Sequence, residues 1–389
     1  MTYGDRIRVM EILARLNVGG PATQIMGLRE RLCADEFDHR LYTGHVDGDE
    51  TDHLHMRQAE MGVHRVPGLG RSVKPGHDVR ALGWLIGAMR TFRPHIVHTH
   101  TAKAGALGRA AARLAGIGAA CVHVFHGHLL YGYFSPARRR LYVHSERLLA
   151  SISDRLVTVG TQVRDDLLEA GIGRLEQYTV IPPGVGLGPI PDRLEARRAL
   201  DLPPDVPVVA YVGRLTQVKR LDRFLAVADA VLRHSPECRF VICGGGELAP
   251  EIERRGGLAP GSFHLLGWRR DVETVYACAD VVMLTSDNEG TPITLIEAGM
   301  AGVPVVSTRV GSVAEVVKDG HTGLLAGRDV DELAAHTLRL LSDRALAHRM
   351  GEAAREWTTQ AFGVERLAAD TQDLYRSLHT SSRRRHISR

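Results

Sequence analysis

The sequence predicts an α/β protein built as two doubly wound domains facing each other across a cleft, and three observations carry that reading. Short apolar runs alternate with helix-length periodic segments, the pattern of parallel strands joined by crossover helices. The alternation restarts in the second half, after a Pro/Gly-dense stretch at 181–191 that suits neither a helix nor a central strand. Each half also opens with a strand that runs into a glycine-containing turn and then a helix, at Val18-Gly19-Gly20 and at Tyr211-Val212-Gly213-Arg214.

In chain order, the first half offers strands at 7–13, 40–43, 96–100, 121–125, 156–159 and 178–181, with helices at 21–33, 79–91 and 105–115 between them. The second half offers strands at 208–211, 240–243, 263–266, 281–284 and 305–307, with helices at 220–234 and 330–342. The domains then span 1–184 and 206–364, with 185–205 as the linker. A last helix at 365–380 is expected to pack back toward the first domain, and 381–389 forms a loose basic tail.

A chain of 389 residues, at roughly 100–200 residues per domain, holds two domains with cores of their own and is too long for a one-motif binding module. The net charge of +4 is matched by four arginines in the tail, Arg383, Arg384, Arg385 and Arg389, so charge does not point to nucleic acid as a partner. The five cysteines are odd in number, scattered and without a C-x-x-C pair, which reads as core filling in a reducing compartment. The N-terminus lacks the layout of a signal peptide, and no stretch approaches the roughly 20 apolar residues of a membrane span. The expected location is the cytoplasm.

The most informative segment runs from Leu284 to Ala298, where a strand ends in a polar loop and a helix begins. Pro292 suits the first helical turn, which makes Thr291 the N-cap and leaves the N–H groups of Ile293 and Thr294 for a diphosphate or a sugar hydroxyl. Glu289 precedes the helix and Glu297 sits in its second turn, so both carboxylates project toward the end of the sheet. A capping acid and a solvated helical glutamate are the alternative on spacing alone.

The block Glu289-Gly290-x-Pro292-x4-Glu297-Ala298, followed by Gly299-x2-Ala301-Gly302-x-Pro304-Val305-Val306 and Gly311-x3-Glu315-x4-Asp319-Gly320-x2-Gly323, resembles the retaining GT-B glycosyltransferases of family 4. The resemblance covers nearly the whole chain. It implies the GT-B fold, two Rossmann-like domains, with an acceptor side in the first and a nucleotide-sugar side in the second. It also implies that Glu289 meets hydroxyls of the donor sugar and Glu297 the ribose, with Gly290, Thr291, Ile293 and Thr294 lining the donor. In Val212-Gly213-Arg214-Leu215-x3-Lys219-Arg220, Arg214 and Lys219 match the cations that neutralise the leaving diphosphate. Gly19 and Gly20 match the glycine turn lying against the donor phosphates, and His126 matches the histidine beside the donor sugar.

The implied activity is metal-independent, retaining transfer from a nucleotide diphosphate sugar to an acceptor hydroxyl. With no covalent nucleophile evident, departure and attack share one face of the sugar. No cofactor is expected, because the nucleotide sugar is a substrate and Arg214, Lys219 and helix dipoles supply the electrostatics a metal would. The stretch His98-Thr99-His100-Thr101-Ala102-Lys103-Ala104-Gly105-x2-Gly108-Arg109 resembles members acting in bacterial polysaccharide and glycolipid assembly, which implies a lipid-linked or saccharide acceptor, with a soluble small molecule as the alternative.

Several rival readings come from the same residues. Gly244-Gly245-Gly246-Glu247 is either a close approach to a ligand or a tight turn. His98-x-His100 with His123, His126 and His128 resembles a metal-hydrolase set, although the second half lacks the further ligands of a barrel hydrolase. Asp47-Gly48-Asp49 reads as an exposed loop and Asp329-Val330-Asp331 as a helix start, not as metal motifs. Arg138-Arg139-Arg140 with Tyr131, Tyr133 and Phe134 reads first as a solvated helix face, with peripheral contact with anionic lipid at the inner membrane face as the alternative. A non-catalytic GT-B partner protein is the rival from another functional class.

Overall fold

The structure is a computed structural model that describes residues 6–16, 20–45, 62–70, 72–127, 136–258 and 261–387, with side chains at 255–258 and 382–387 left out. The chain divides into two compact units, one made of Met1–Gly184 and Val364–Arg389, the other of Val185–Gly363.

The first unit holds strands β1 (Ile7–Arg15), β2 (Phe37–Gly44), β3 (Val63–Arg65), β4 (Ile96–His100), β5 (Ala120–Phe125), β6 (Arg155–Thr158) and β7 (Tyr178–Val180), in the order β3-β2-β1-β4-β5-β6-β7. The second holds β8 (Val208–Val212), β9 (Arg239–Cys243), β10 (Phe263–Gly267), β11 (Val281–Leu284), β12 (Val305–Thr308) and β13 (Gly323–Ala326), in the order β10-β9-β8-β11-β12-β13. Every pairing is parallel. Strand order reverses at β1/β4 and at β8/β11, the switch points where ligands bind beyond the strand ends of doubly wound sheets.

Alternation along the strands sorts the first core into two layers. Met10, Ile12, Val97 and Cys121 face helices α2 (Pro75–Phe92) and α3 (Ala102–Ala115). Val9, Ile96, Val122 and Val124 face the opposite way, under α1 (Gly20–Arg31) and the last helix. Helices α4 (Pro136–Ser151) and α5 (Thr161–Glu169) complete the first unit before the crossing at Gly184. The second core is layered likewise: Ala210, Val241 and Val282 on one face, Val209, Phe240 and Met283 on the other.

Residues 185–205 are part of the second unit, not a free linker. Val185 is buried in its core, and α6 (Arg193–Ala199) is capped by Asp192, which accepts from the N–H groups of Leu194 and Glu195. Arg197, 1% exposed, explains how a Pro-rich stretch packs there: its guanidinium donates to the carbonyls of Cys278, Pro203, Pro204 and Val206 and to Asp280. The remaining helices are α7 (Leu221–Leu232), α8 (Ala249–Leu258), α9 (Val272–Cys278), α10 (Ile293–Met300), α11 (Val313–Val316), α12 (Val330–Ser342), α13 (Arg344–Phe362) and α14 (Val364–Ile387). Gly363, with extended backbone, separates the last two. Leu367, Ala368, Leu374, Tyr375 and Leu378 form one apolar stripe of α14, which buries it against the first sheet. The helix continues through 381–387, where a loose tail was expected, because each added residue extends an already nucleated backbone ladder. Four cysteines are buried, whereas Cys33 is exposed at the end of α1 and fills no core.

Candidate active site

In the second unit the switch point between β8 and β11 gathers the charged residues singled out by the sequence. Beyond β8 the chain passes Gly213 and Arg214 into a single 3-10 turn, Gln217–Lys219. Thr285, at the end of β11, ties that turn down by donating its hydroxyl to the carbonyls of Lys219 and Arg220 (3.1 Å each). Arg220 adopts φ 53° and reaches Asp287, which also accepts from Arg223, so a small ion network locks the two strand ends together.

Lys219 is thereby held against Glu289: Nζ donates to Oε1 at 2.5 Å, and Ser286 Oγ donates to the same oxygen at 2.6 Å. Both side chains are largely withdrawn from solvent, at 17% and 9% exposed. The loop that carries Glu289 is braced from β12, where Thr308 Oγ1 donates to Ser286 O (2.7 Å), and from the segment after it, where Ser312 N–H donates to Gly290 O (3.2 Å). Gly311 makes this packing possible, since its φ is +50° and a Cβ there would lie 1.8 Å from the Glu289 carbonyl oxygen.

Helix α10 begins at Ile293, with Pro292 as the flanking residue and no side-chain cap. Thr291 is therefore not the N-cap. The helix starts one residue later than Pro292 at the first helical position would give, because Pro292 takes the extended conformation (ψ 107°) of a residue outside the helix. Thr294 Oγ1 donates to Val212 O (3.1 Å), fixing the first turn of α10 to the end of β8. Glu297 Oε2 accepts from the buried Tyr276 hydroxyl at 2.7 Å. Burial pushes the Glu297 carboxyl up to about 7, with the Tyr276 hydrogen bond opposing and the Glu273 charge adding to the rise.

Arg214 is exposed, and its guanidinium makes no hydrogen bond or ion pair among the described residues. Its carbonyl accepts from Tyr211 Oη (3.0 Å), and the Tyr211 phenol, raised by burial, feels both Glu289 and Arg214. Gly244 and Gly246 follow β9 with φ of 143° and 154°. Side chains there would strike the carbonyls of Gly213 and Leu215 at 1.9 and 2.5 Å. These glycines serve the interlock of two backbone loops beside Arg214, and neither reading of them from spacing named that interlock. Asp329 caps α12 by accepting from Glu332 N–H.

In the first unit, Glu11 lies fully buried in the middle of β1. Its carboxylate is met by His39 Nε2 (2.8 Å) and His100 Nε2 (2.7 Å), and His100 Nδ1 lies 2.8 Å from His126 Nε2. His98 shares a 2.6 Å hydrogen bond with Tyr375 of α14 and is held neutral by burial, which brings it down to about 3. Glu11, His98 and His100 bring one ligand atom each within 4.8 Å of one another, the donor set of a cation site. His123 does not join them: it points to the other face of the sheet, where it pairs with Thr99 Oγ1 (2.9 Å). His128 lies outside the described residues, as do Gly19, Asp47-Gly48-Asp49, Tyr131, Tyr133 and Phe134. Gly20 is the first residue of α1, so it belongs to the helix and not to the turn before it.

Glu11, His100 as its partner, Tyr276 and Asp287 are the functional neighbours that motif reading passed over. Glu11 had a signal, a lone carboxylate inside the apolar run Val9-Met10-Glu11-Ile12-Leu13. Tyr276 and Asp287 had none. Along α4, Arg139, Arg140, His144 and Arg147 line a surface depression of about 570 Å³, and Leu141 and Leu148 are exposed on the same helix. Arg109 and Glu146 form a fully buried ion pair (2.8 Å) between α3 and α4. Among the described residues no helix is long and apolar enough to cross a membrane.

Comparison with known proteins places this arrangement. Residues 192–357 match the family model for glycosyl transferases group 1, and residues 19–184 match that for a glycosyl transferase 4-like domain. The chain is 27% identical to an Escherichia coli UDP-Gal:alpha-D-GlcNAc-diphosphoundecaprenol alpha-1,3-galactosyltransferase, over 89% of this chain and 90% of that protein. It is 27% identical to a D-inositol 3-phosphate glycosyltransferase of Streptomyces bingchenggensis, over 92% of this chain and 85% of that one. Among solved structures, Anabaena Alr3699/HepE in complex with UDP and glucose superposes with a TM-score of 0.81 at 19% identity, covering 96% of this chain and 100% of the other. Two doubly wound sheets, a lysine-glutamate pair at the second switch point and family matches over both halves lead to one assignment: the chain is a GT-B glycosyltransferase of group 1, family 4, acting on a nucleotide sugar.

Proposed function

We propose that the enzyme transfers a sugar, with retention of configuration and without a metal, from a uridine diphosphate donor to a hydroxyl of a lipid-linked saccharide. The observation that carries the reading is the Lys219–Glu289 pair set beside the start of α10. A diphosphate arriving there meets Lys219 and Arg214, and the N–H groups of Ile293 and Thr294 point out of the first helical turn. When Lys219 turns to the phosphate, Glu289 is released to accept from hydroxyls of the sugar, and Glu297 accepts from the ribose. The leaving diphosphate departs on the face where the acceptor hydroxyl attacks, and the hydroxyl proton passes to a phosphate oxygen of the leaving group. Fixed cations stabilise the charge as it builds on that phosphate. His126 of the first unit meets a hydroxyl of the donor sugar.

Support for the donor comes from the UDP complex of the structural neighbour, and for the acceptor from the diphosphoundecaprenol-linked substrate in the name of the E. coli relative. The basic depression on α4, with Leu141 and Leu148 exposed on the helix, supports peripheral contact with an anionic membrane surface in the cytoplasm. The test is a transfer assay pairing UDP-sugars with a polyprenyl-diphosphate saccharide and with inositol phosphate, the anomeric configuration of the product being read by NMR. An α-linked product from an α-linked donor on the polyprenyl acceptor is the expected result. Transfer to inositol phosphate alone, or an inverted product, overturns the acceptor or the stereochemical reading respectively.

A further inference from the structure

We propose that the first unit contains a transition-metal site, in which Glu11 of β1 with His98 and His100 of β4 binds one divalent ion of the zinc class. The ion ties two central strands of the first sheet together. The transfer step draws on Lys219 and Arg214 of the second unit and does not depend on it.

Strand register gathers the donors. Glu11 pairs with His98 across β1 and β4, and His100 follows two residues later, so the His-x-His spacing puts both rings on one face beside the carboxylate. All three residues are buried, and each brings a ligand atom within 4.8 Å of the others. Their outer sides are engaged. Tyr375 Oη lies 2.6 Å from His98 Nδ1, His39 Nε2 lies 2.8 Å from Glu11 Oε2, and His126 Nε2 lies 2.8 Å from His100 Nδ1, which makes Glu11, His100 and His126 a hydrogen-bonded row. Outer partners of this kind orient the ligands of metal sites. The atoms left for an ion are Glu11 Oε1 and His100 Nε2, 2.7 Å apart, and His98 Nε2, which is buried with no hydrogen-bond partner among the described residues. Buried polar atoms rarely go without a partner, and the ion supplies one. Tetrahedral zinc separates its nitrogen and oxygen donors by roughly 3.4 Å, so Glu11 and His100 part by roughly 0.7 Å as it enters between them.

Donor chemistry and space select the occupant. Two imidazoles and one carboxylate suit zinc and its neighbours, whereas magnesium and calcium take sets of oxygen ligands. With His126, the same three residues line a cavity of about 30 Å³ whose other walls are mostly aliphatic, Ile25, Leu28 and Leu374 among them. That volume holds the water that completes a three-residue site and is too small for an organic ligand.

The test is equilibrium dialysis of the full-length protein, first stripped with a chelator, against zinc, magnesium or calcium, the bound metal being read by mass spectrometry. One equivalent of zinc is expected, with neither magnesium nor calcium retained. Zinc at about 100 times its dissociation constant should raise the unfolding temperature by roughly 5–10 °C. His98→Phe and Glu11→Gln should each lose both the zinc and the shift. Cobalt in place of zinc reads the ligands of the wild type without any variant: visible bands without thiolate charge transfer are expected, which separates this set from the exposed thiol of Cys33. No bound zinc, zinc retained by both variants, or a thiolate band overturns the inference. Stripped enzyme should still transfer sugar; a loss of transfer that zinc restores would overturn the metal-free reading of the transfer step and leave the site standing.

Discussion

Glu297→Gln isolates a single carboxyl whose environment the fold has made costly. In the folded protein the group titrates at about 7, whereas an ordinary glutamate titrates near 4.5. Burial is the main cause, and the Tyr276 hydrogen bond offsets only part of it. Because the folded state holds this proton more tightly than the unfolded chain, wild-type stability falls as pH rises from 4.5 to 7 and levels off above that. A gap of about 2.5 pH units corresponds to about 3 kcal/mol. Glutamine keeps the acceptor for Tyr276 and has no charge to bury. The variant should match wild type near pH 4.5 and exceed it by about 2–3 kcal/mol at pH 8. Urea unfolding of both proteins at several pH values, without nucleotide, reads the difference directly. Curves that stay parallel from pH 5 to 8 would refute the argument that Glu297 is destabilised by burial.

Other perturbations follow from named contacts. Lys219→Ala leaves Glu289 with Ser286 as its remaining hydrogen-bond donor and removes a cation from the diphosphate; UDP affinity should fall about tenfold by calorimetry, and the free protein should lose about 3 kcal/mol in urea unfolding. Gly311→Ala places a methyl group 1.8 Å from the Glu289 carbonyl oxygen, so transfer should drop about 100-fold while circular dichroism stays that of a folded protein. Arg109→Met strands Glu146 as an uncompensated buried charge and should lower stability by about 3–5 kcal/mol, a loss that Glu146→Gln added to it partly restores.

The legible part of this fold was written in short-range patterns. Runs such as Val281–Leu284 and Val208–Val212 are apolar on both faces, as strands covered by helices must be, and they stand out at any reading frame. Val63–Arg65 and Gly323–Ala326 do not, because three or four residues at a sheet edge leave no period to count. The stretch 185–205 looked like a linker because the prolines and glycines of 181–191 suit neither a helix nor a central strand; it is held to the second unit by Arg197, whose partners lie up to 83 positions away. The chemistry divides in the same way. Glu289, Glu297 and Lys219 sit in compact motifs, although their spacing alone left open whether they do more than cap and solvate. The histidine row joins residues 89 and 26 positions apart, and Tyr375 reaches His98 across 277 positions, separations that no local spacing encodes.

The central claim is that Glu289 acts on the sugar after Lys219 has turned to the diphosphate, and Glu289→Gln in the full-length enzyme tests it most directly. UDP affinity by calorimetry and UDP release from a donor-acceptor mixture are compared in the two proteins. UDP binding should stay within about threefold while transfer falls at least about 100-fold. Transfer at the wild-type rate, or a loss wholly explained by weaker UDP binding, would contradict it.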